Sequence, residues 1–275
     1  MSPPSDAPSD ASSDCSSDAL SDARAPSGGA PGAAAEQGWA GSRRIDRLPA
    51  PAPNPIRSPP VAVAGEALAT IGTLEARVCL PGGARRLVLI CHPHPLYGGS
   101  MHSPVPLAIA KALADSGGGT VGWARFNFRG VGQSGGRYDD GAGELGDALA
   151  VIAHLVERAP GLPVACCGHS FGSWVAMRAA AGAPQVDRAL MVAPSTRFFD
   201  FGRETVAFEG PKTIFLGDQD EFCDVPEGQA LAARMGAALR IFEGYDHQFT
   251  RSRRAVAEAA VRAVAPELPL AGAPP

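Results

Sequence analysis

Residues 162–172 read Leu162-Pro-Val-Ala-Cys-Cys-Gly-His-Ser-Phe-Gly172, a short apolar run that leads into a Gly-x-Ser-x-Gly turn. A helical pattern follows at 173–181. Between a buried strand and a helix, such a turn strains the serine backbone and presents its hydroxyl at the helix N-terminus. The helix dipole and its free amides favour an oxyanion there. We therefore predict that Ser170 is a nucleophile and that the Phe171 N–H is an oxyanion donor. The alternative is an ordinary glycine-rich start of a helix.

Strands and helices alternate on both sides of this turn. Helices are predicted at 104–116, at 144–157, from just after 170 to 181, at 226–235 and at 252–264. Short apolar runs predict strands at 62–71, 74–80, 87–91, 121–128, 164–167, 189–192, 213–216 and 239–242. The first two are expected to be antiparallel. The alternation of the later elements predicts an open, mainly parallel α/β sheet with right-handed crossovers.

A serine nucleophile needs a general base near neutral pH, usually a histidine held by a carboxylate. His247 is the only histidine after Ser170 in the sequence, and it follows the predicted strand at 239–242. Four carboxylates follow the strand at 213–216, at positions 218, 220, 221 and 224. We favour Asp220 as the acid, with Asp218 as the alternative.

The loop after the strand at 87–91 reads His92-Pro-His-Pro-Leu-Tyr-Gly-Gly-Ser-Met101. Proline has no N–H, so the amides available as a second oxyanion donor are those of His94, Leu96 and Tyr97. We favour His94. The pair His92 and His94 also suggests a metal site, but alternate residues at a strand end point to opposite sides and no clustered acid completes a ligand set. We therefore expect no metal, and His92 is interpreted as a hydrogen-bonding support of the loop.

Residues 130–135 match the Gly-x-Gly-x-x-Gly pattern of dinucleotide-binding turns. That pattern should open a helix directly and be followed by an acid at the end of the next strand. Here further glycines delay the helix, and the next strand ends in Cys166-Cys167-Gly168. We interpret this segment as a turn at the edge of the pocket, and we expect no cofactor.

The formal net charge of −4 argues against nucleic acid or a basic membrane anchor as a partner. Residues 1–60 are rich in Ser, Asp, Ala, Pro and Gly and are predicted to be a disordered tail. The enzyme domain is expected at 61–266, with a flexible tail at 267–275.

The six cysteines show neither a disulfide framework nor zinc-finger spacing. With no secretory signal and no run of ~18 apolar residues, a cytoplasmic protein is expected.

With Ser170, Asp220 and His247 in that order, residues 61–266 resemble an α/β-hydrolase. The loop from His92 and the segment Arg125-Phe-Asn-Phe-Arg-Gly-Val-Gly-Gln-Ser134 resemble small bacterial hydrolases described as serine-aminopeptidase-like or Xaa-Pro-peptidase-like. The resemblance implies an eight-stranded, mainly parallel sheet and supports the three residues as a triad. One departure is Pro93, which stands where a glycine is common.

About 20 residues, 193–212, separate the strand at 189–192 from the next strand, too few for a cap domain. Phe198, Phe199 and Phe201 in this segment either line an acyl pocket or pack on the sheet. Tyr97 and His169 are the other candidate substrate contacts. A site without a cap should be open and suited to small acyl substrates.

The leading hypothesis is a serine hydrolase of the carboxylesterase or thioesterase type, which forms an acyl-enzyme with a small acyl substrate. A peptidase-like amide hydrolase is the first alternative. The others are a catalytically silent binding module that acts through the tail, and a dinucleotide binder at 130–135.

Overall fold

The computed structural model describes residues 61–116, 119–202, 205 and 207–267. The tail predicted at 1–60 lies outside the described residues, as does all but the first residue of the tail predicted at 267–275. That first residue, Glu267, forms an ion pair with Arg86 at the start of a central strand. The folded part of the chain therefore extends at least to Glu267.

One eight-stranded sheet is present in the described residues, as predicted. Its strands are β1 (Ala67–Ile71), β2 (Leu74–Cys79), β3 (Arg86–Cys91), β4 (Val121–Phe126), β5 (Val164–His169), β6 (Val186–Val192), β7 (Lys212–Gly217) and β8 (Ala238–Phe242). They lie in the order β1-β2-β4-β3-β5-β6-β7-β8. The β1–β2 and β2–β4 pairs are antiparallel, and the other neighbours are parallel.

Two strand boundaries differ from the prediction by several residues. The first strand begins at Ala67 rather than at 62, because the preceding residues turn back and the Glu66 N–H donates to the Val63 carbonyl. The strand predicted at 189–192 begins at Val186 instead. Polar Asp187 and Arg188 interrupt the apolar pattern there, and Asp187 forms an ion pair with Arg86.

Five α-helices flank the sheet within the described part of the chain. They are α1 (Pro104–Ser116), α2 (Ala142–Arg158), α3 (Phe171–Gly182), α4 (Val225–Met235) and α5 (Arg253–Val264). Ser252 caps α5 by accepting the Ala255 N–H, as its sequence position indicates. Among these described helices, none has both the length and the apolar character needed to cross a membrane.

The helices form one layer on each face of the sheet. Helices α1 and α5 pack together with Val88, Ile90 and Cys167 from the central strands. Helices α2, α3 and α4 cover the other face. All six residues of β3 and of β5 are buried, because these strands are covered on both sides. Since β5, β7 and β8 run parallel, the residues that follow them meet at one edge of the sheet.

A buried ion pair ties the start of the domain to the sheet and to the loop beside this edge. The side chains of Arg125 and Glu66 are both fully buried. Arg125 donates to the two carboxylate oxygens of Glu66 at 2.7 and 2.6 Å, and to the Met101 carbonyl at 2.8 Å. Trp123 Nε1 donates to the same carboxylate at 3.1 Å.

Replacing Arg125 by Met should destabilise the fold by about 3–5 kcal/mol, because Glu66 would remain buried without its partner charge. The double variant Glu66→Leu/Arg125→Met removes both charges and should recover a large part of this loss. Urea unfolding followed by circular dichroism measures both free energies. A loss below about 1 kcal/mol in the single variant would show that the pair is not needed for stability.

Candidate active site

Ser170 lies between the end of β5 and the start of α3, in the strand–turn–helix context that the sequence predicts. Its backbone has φ 57° and ψ −122°, a conformation that costs a non-glycine residue on the order of 1–3 kcal/mol. A Cβ on Gly168 would lie 2.0 Å from the Gly172 carbonyl oxygen. A Cβ on Gly172 would lie 2.4 Å from the His92 carbonyl oxygen. Both glycines are therefore required by close backbone contacts.

Asp220 and His247 meet at the edge where Ser170 lies. His247 Nδ1 is 2.9 Å from Asp220 Oδ2 and 3.1 Å from Oδ1, and both side chains are buried. Asp220 Oδ1 also accepts the Phe222 N–H at 2.8 Å. The carboxylate is thus fixed by its own loop while it holds the imidazole.

The neighbouring carboxylates have other partners. Asp218, the alternative acid, accepts the Gly244 and Tyr245 N–H groups and so holds the loop that carries His247. Asp224 caps α4 through the Glu227 N–H. Asp246 accepts the N–H and the hydroxyl of Thr250. The structure therefore brings Asp220, and none of these three, to the ring of His247.

His169 lies under the His247 loop rather than among the residues that line the cavity described below. It is 1% exposed, and its Nε2 is 3.0 Å from the His247 carbonyl oxygen. Burial lowers its pKa to about 3, so the ring is neutral near pH 7 and its Nε2–H donates to that carbonyl. The sequence suggested a substrate contact, whereas the structure places His169 as a support of His247.

Ser195 is a site residue that the sequence analysis did not identify. Its Oγ lies 3.0 Å from Ser170 Oγ, and its side chain lines the same cavity. Within the described residues, no hydrogen bond joins Ser170 to His247. Ser195 follows β6 by three residues, and its only signal in the sequence is this position after a parallel strand that ends at the same edge.

The loop after β3 is held by its two histidines. His92 Nε2 accepts the Phe128 N–H at 3.0 Å, and its Nδ1 is 2.6 Å from the Pro93 carbonyl oxygen, so His92 supports the loop as expected. His94 caps a short 3-10 helix, Pro95–Tyr97, by accepting the Leu96 N–H on Nδ1. Burial lowers the pKa of His94 to about 4, so this ring too is neutral near pH 7.

The two predicted oxyanion donors have backbone N–H groups available. Phe171 is the first residue of α3, so its N–H has no acceptor one turn earlier in the helix. The His94 carbonyl accepts the Tyr97 and Gly99 N–H groups, which fixes the orientation of this part of the loop. No hydrogen bond among the described residues uses the His94 N–H.

The two remaining sequence motifs are the pair His92 and His94 and the glycine-rich turn at 130–135. In the described residues, no group of three or more His, Cys, Asp and Glu side chains is arranged to hold a metal ion. The Gly130 N–H donates to the Gly135 carbonyl, and the Gly135 N–H donates to Thr73. This turn is thus tied to the β1–β2 hairpin, and none of its residues lines the cavity at Ser170, so the prediction that it forms the edge of the pocket was wrong.

A cavity of about 370 Å³ opens over Ser170 and His247. The described residues that line it include no Asp, Glu, Lys or Arg. Phe198 and Phe199 line it, while Phe201 is buried in the core. The aromatic and proline side chains that line the cavity are Pro93, Tyr97, Pro104, Phe198, Phe199 and Phe222. Such walls suit an uncharged apolar group.

Known proteins are similar to this chain over different stretches of its sequence. The sequence model of a family described as serine aminopeptidase, S33, matches residues 82–201, which include Ser170 and the His92 loop but neither Asp220 nor His247. The uncharacterized protein RP471 of Rickettsia prowazekii (strain Madrid E) is 32% identical over 174 residues, which cover 59% of this chain and 71% of that protein.

Two solved structures are similar over most of the described chain. An alpha-beta serine hydrolase homologue from Coxiella burnetii is 30% identical with a TM-score of 0.63, and the match covers 74% of this chain and 99% of that one. XC6422 from Xanthomonas campestris, described as a serine hydrolase without a lid, is 29% identical with a TM-score of 0.66. That match covers 79% of this chain and 100% of XC6422.

Proposed function

Because this chain belongs to the α/β-hydrolase superfamily, we propose that it is a serine hydrolase with Ser170 as nucleophile, His247 as general base and Asp220 as the carboxylate that orients the base. The observation that carries the proposal is the buried Asp220–His247 pair, which lies at the same cavity as the strained Ser170 turn. Asp220 accepts the Nδ1 proton and leaves Nε2 free to accept the proton of Ser170.

The reaction follows from these positions. Ser170 Oγ attacks the substrate carbonyl carbon while its proton passes to His247 Nε2. The carbonyl oxygen takes the negative charge and accepts hydrogen bonds from the N–H groups of Phe171 and His94. His247 then protonates the leaving alcohol or thiol, and an acyl-enzyme remains on Ser170. Water, deprotonated by His247, attacks the acyl carbon. His247 then returns the proton to Ser170 Oγ as the carbon–Oγ bond breaks and the acid leaves.

We favour a small neutral ester or thioester as substrate over a peptide with a free amino terminus. An enzyme that selects an amino terminus must bind an ammonium group, and a desolvated ammonium needs a carboxylate or several acceptors near it. No carboxylate side chain is among the described residues that line the cavity. The apolar walls instead favour an alkyl or aromatic acyl group.

We also propose a cytoplasmic location and a small-molecule acyl substrate as the partner. The described cysteines, Cys79, Cys91, Cys166, Cys167 and Cys223, are buried free thiols. Unpaired thiols are typical of reducing compartments, where disulfides are rare. Fractionation of cells that express the tagged full-length protein tests the location.

A fluorophosphonate probe should label Ser170 of the purified protein, with one probe molecule bound per chain, because an activated serine attacks phosphorus as it attacks a carbonyl. Ser170→Ala should not be labelled, and peptide mass spectrometry should place the adduct on the peptide that contains residue 170. Equal labelling of the variant would exclude Ser170 as the nucleophile.

The substrate class is tested by a panel of p-nitrophenyl esters of increasing acyl length, set against aminoacyl p-nitroanilides. We expect turnover of the esters and little of the anilides. Faster turnover of the anilides would favour the hypothesis of a peptidase-like amide hydrolase instead. Absence of both labelling and turnover would favour a catalytically silent binding module.

A further inference from the structure

Ser195 lies in a rigid segment next to the nucleophile. Ala193, two residues earlier, has φ 49°, and its N–H donates to the Phe215 carbonyl of β7 at 2.8 Å. The Ser195 carbonyl accepts the N–H groups of Phe198 and Phe199, each at 3.1 Å. The backbone on both sides of Ser195 is therefore held by hydrogen bonds, and the residue is only 2% exposed.

The contact between Ser195 and Ser170 has two possible proton arrangements, since each hydroxyl has one proton and can also accept. If Ser170 donates to Ser195, its proton is directed away from His247 and the serine is not activated. If Ser195 donates to Ser170 Oγ, the proton of Ser170 stays available to His247. Only the second arrangement is compatible with attack by Ser170.

We propose that Ser195 is a positioning residue for acylation, whose hydroxyl donates to Ser170 Oγ and directs the single proton of Ser170 toward His247. This inference rests on the proposed function, in which Ser170 is the nucleophile. During attack, the Ser170 proton moves to His247 Nε2, the Oγ–carbon bond forms, and the carbonyl π electrons move onto the carbonyl oxygen. Ser195 keeps its own proton throughout.

The contribution of Ser195 should be larger in the first half of the reaction than in the second. As the proton leaves Ser170, negative charge grows on Oγ, and a hydrogen bond donated to a charged oxygen is stronger than one to a neutral oxygen. In the acyl-enzyme, Oγ is an ester oxygen and a weaker acceptor, and it stays bonded to carbon while water attacks the acyl group. Ser195 should therefore affect acylation more than deacylation, a split that a merely structural role would not produce.

The test compares Ser195→Ala, which lacks the hydroxyl, with Ser195→Thr, which keeps one. The matched control is Thr196→Ala, because Thr196 lies on the same turn and its hydroxyl bonds to Glu227 instead. Pre-steady-state bursts with p-nitrophenyl acetate give the acylation and deacylation rates separately. Fluorophosphonate inactivation gives a second measure of nucleophile reactivity, and thermal melting reports the integrity of each variant.

We expect Ser195→Ala to lower the acylation rate and the inactivation rate about tenfold, the factor typical of one lost hydrogen bond in a transition state. Deacylation should change by less than about twofold, and Ser195→Thr should restore most of the acylation rate. An unchanged or faster acylation in Ser195→Ala would overturn the inference. Equal slowing of both steps would also overturn it.

Failure of this inference is distinguishable from failure of the proposed function. If Ser170→Ala in the same assays keeps its labelling and turnover, the nucleophile assignment itself is wrong. If Ser170→Ala is inactive while Ser195→Ala matches the unmodified protein, only the role of Ser195 is wrong.

Discussion

Replacing Asp220 by Asn is expected to lower kcat by about 10⁴-fold while the protein stays folded. The carboxylate accepts the Nδ1 proton of His247 and so places the lone pair on Nε2. An amide at this position can keep its oxygen on the Phe222 N–H, which leaves its NH₂ group facing Nδ1. Nδ1 would then have to accept, the proton would move to Nε2, and Nε2 would no longer accept the proton of Ser170.

The measurement is kcat and KM on the best p-nitrophenyl ester, with circular dichroism as a check on folding. Asp246→Asn is the matched control, since Asp246 is adjacent to His247 in sequence but bonds to Thr250. It should stay within about threefold of the unmodified protein. Asp218→Asn separates the two candidate acids. A loss in Asp218→Asn as large as that in Asp220→Asn would contradict the assignment of Asp220.

Acidification from pH 6.5 to pH 5 is expected to destabilise the fold by about 5 kcal/mol. His92, His94 and His169 are buried, and burial lowers their pKa values to about 3, about 4 and about 3. In the unfolded chain each titrates near 6.5, so below that pH the unfolded state binds protons that the folded state does not. Well below pH 6.5, each of these histidines lowers the free energy of unfolding by about 1.4 kcal/mol for every pH unit.

The sign is therefore a loss of stability as the pH falls, beginning near 6.5 and continuing toward 3–4. Burial raises the pKa of Glu144, so this residue binds its proton first in the folded state and acts in the opposite direction at lower pH. Urea unfolding at pH 7.5, 6.5 and 5.0 gives the free energies.

His169→Gln is the matched variant for the pH series. Glutamine does not titrate in this range, and its NH₂ group can donate to the His247 carbonyl in place of Nε2–H. The variant should lose about 2 kcal/mol less than the unmodified protein between pH 6.5 and 5. An identical pH dependence for the two proteins would show that His169 is not the neutral buried group inferred from its surroundings.

Most of the fold was predictable because its central strands are covered on both sides. Every residue of β3 and β5 is buried, and their segments 87–91 and 164–167 are visible in the sequence as continuous apolar runs. The prediction was wrong where a single polar side chain decides the course of the backbone. Residues 62–66 were predicted as strand, but they form a turn in which the Glu66 carboxylate is paired with Arg125. The short helix Pro95–Tyr97 depends on the cap from His94 and was not predicted.

The sequence by itself determined the class of the fold, the turn at Ser170 and the placement of Asp220 and His247 after later strands. These follow from local rules: apolar periodicity, glycines where a Cβ does not fit, and the parallel strands that bring their carboxyl ends together. The tertiary structure alone decided that Asp220 rather than Asp218 reaches His247, that His169 supports the His247 loop, and that Ser195 lies 3.0 Å from Ser170. Each of these contacts joins residues far apart in the chain, and a difference of a few ångströms in loop path, which no local pattern encodes, decides which side chains meet.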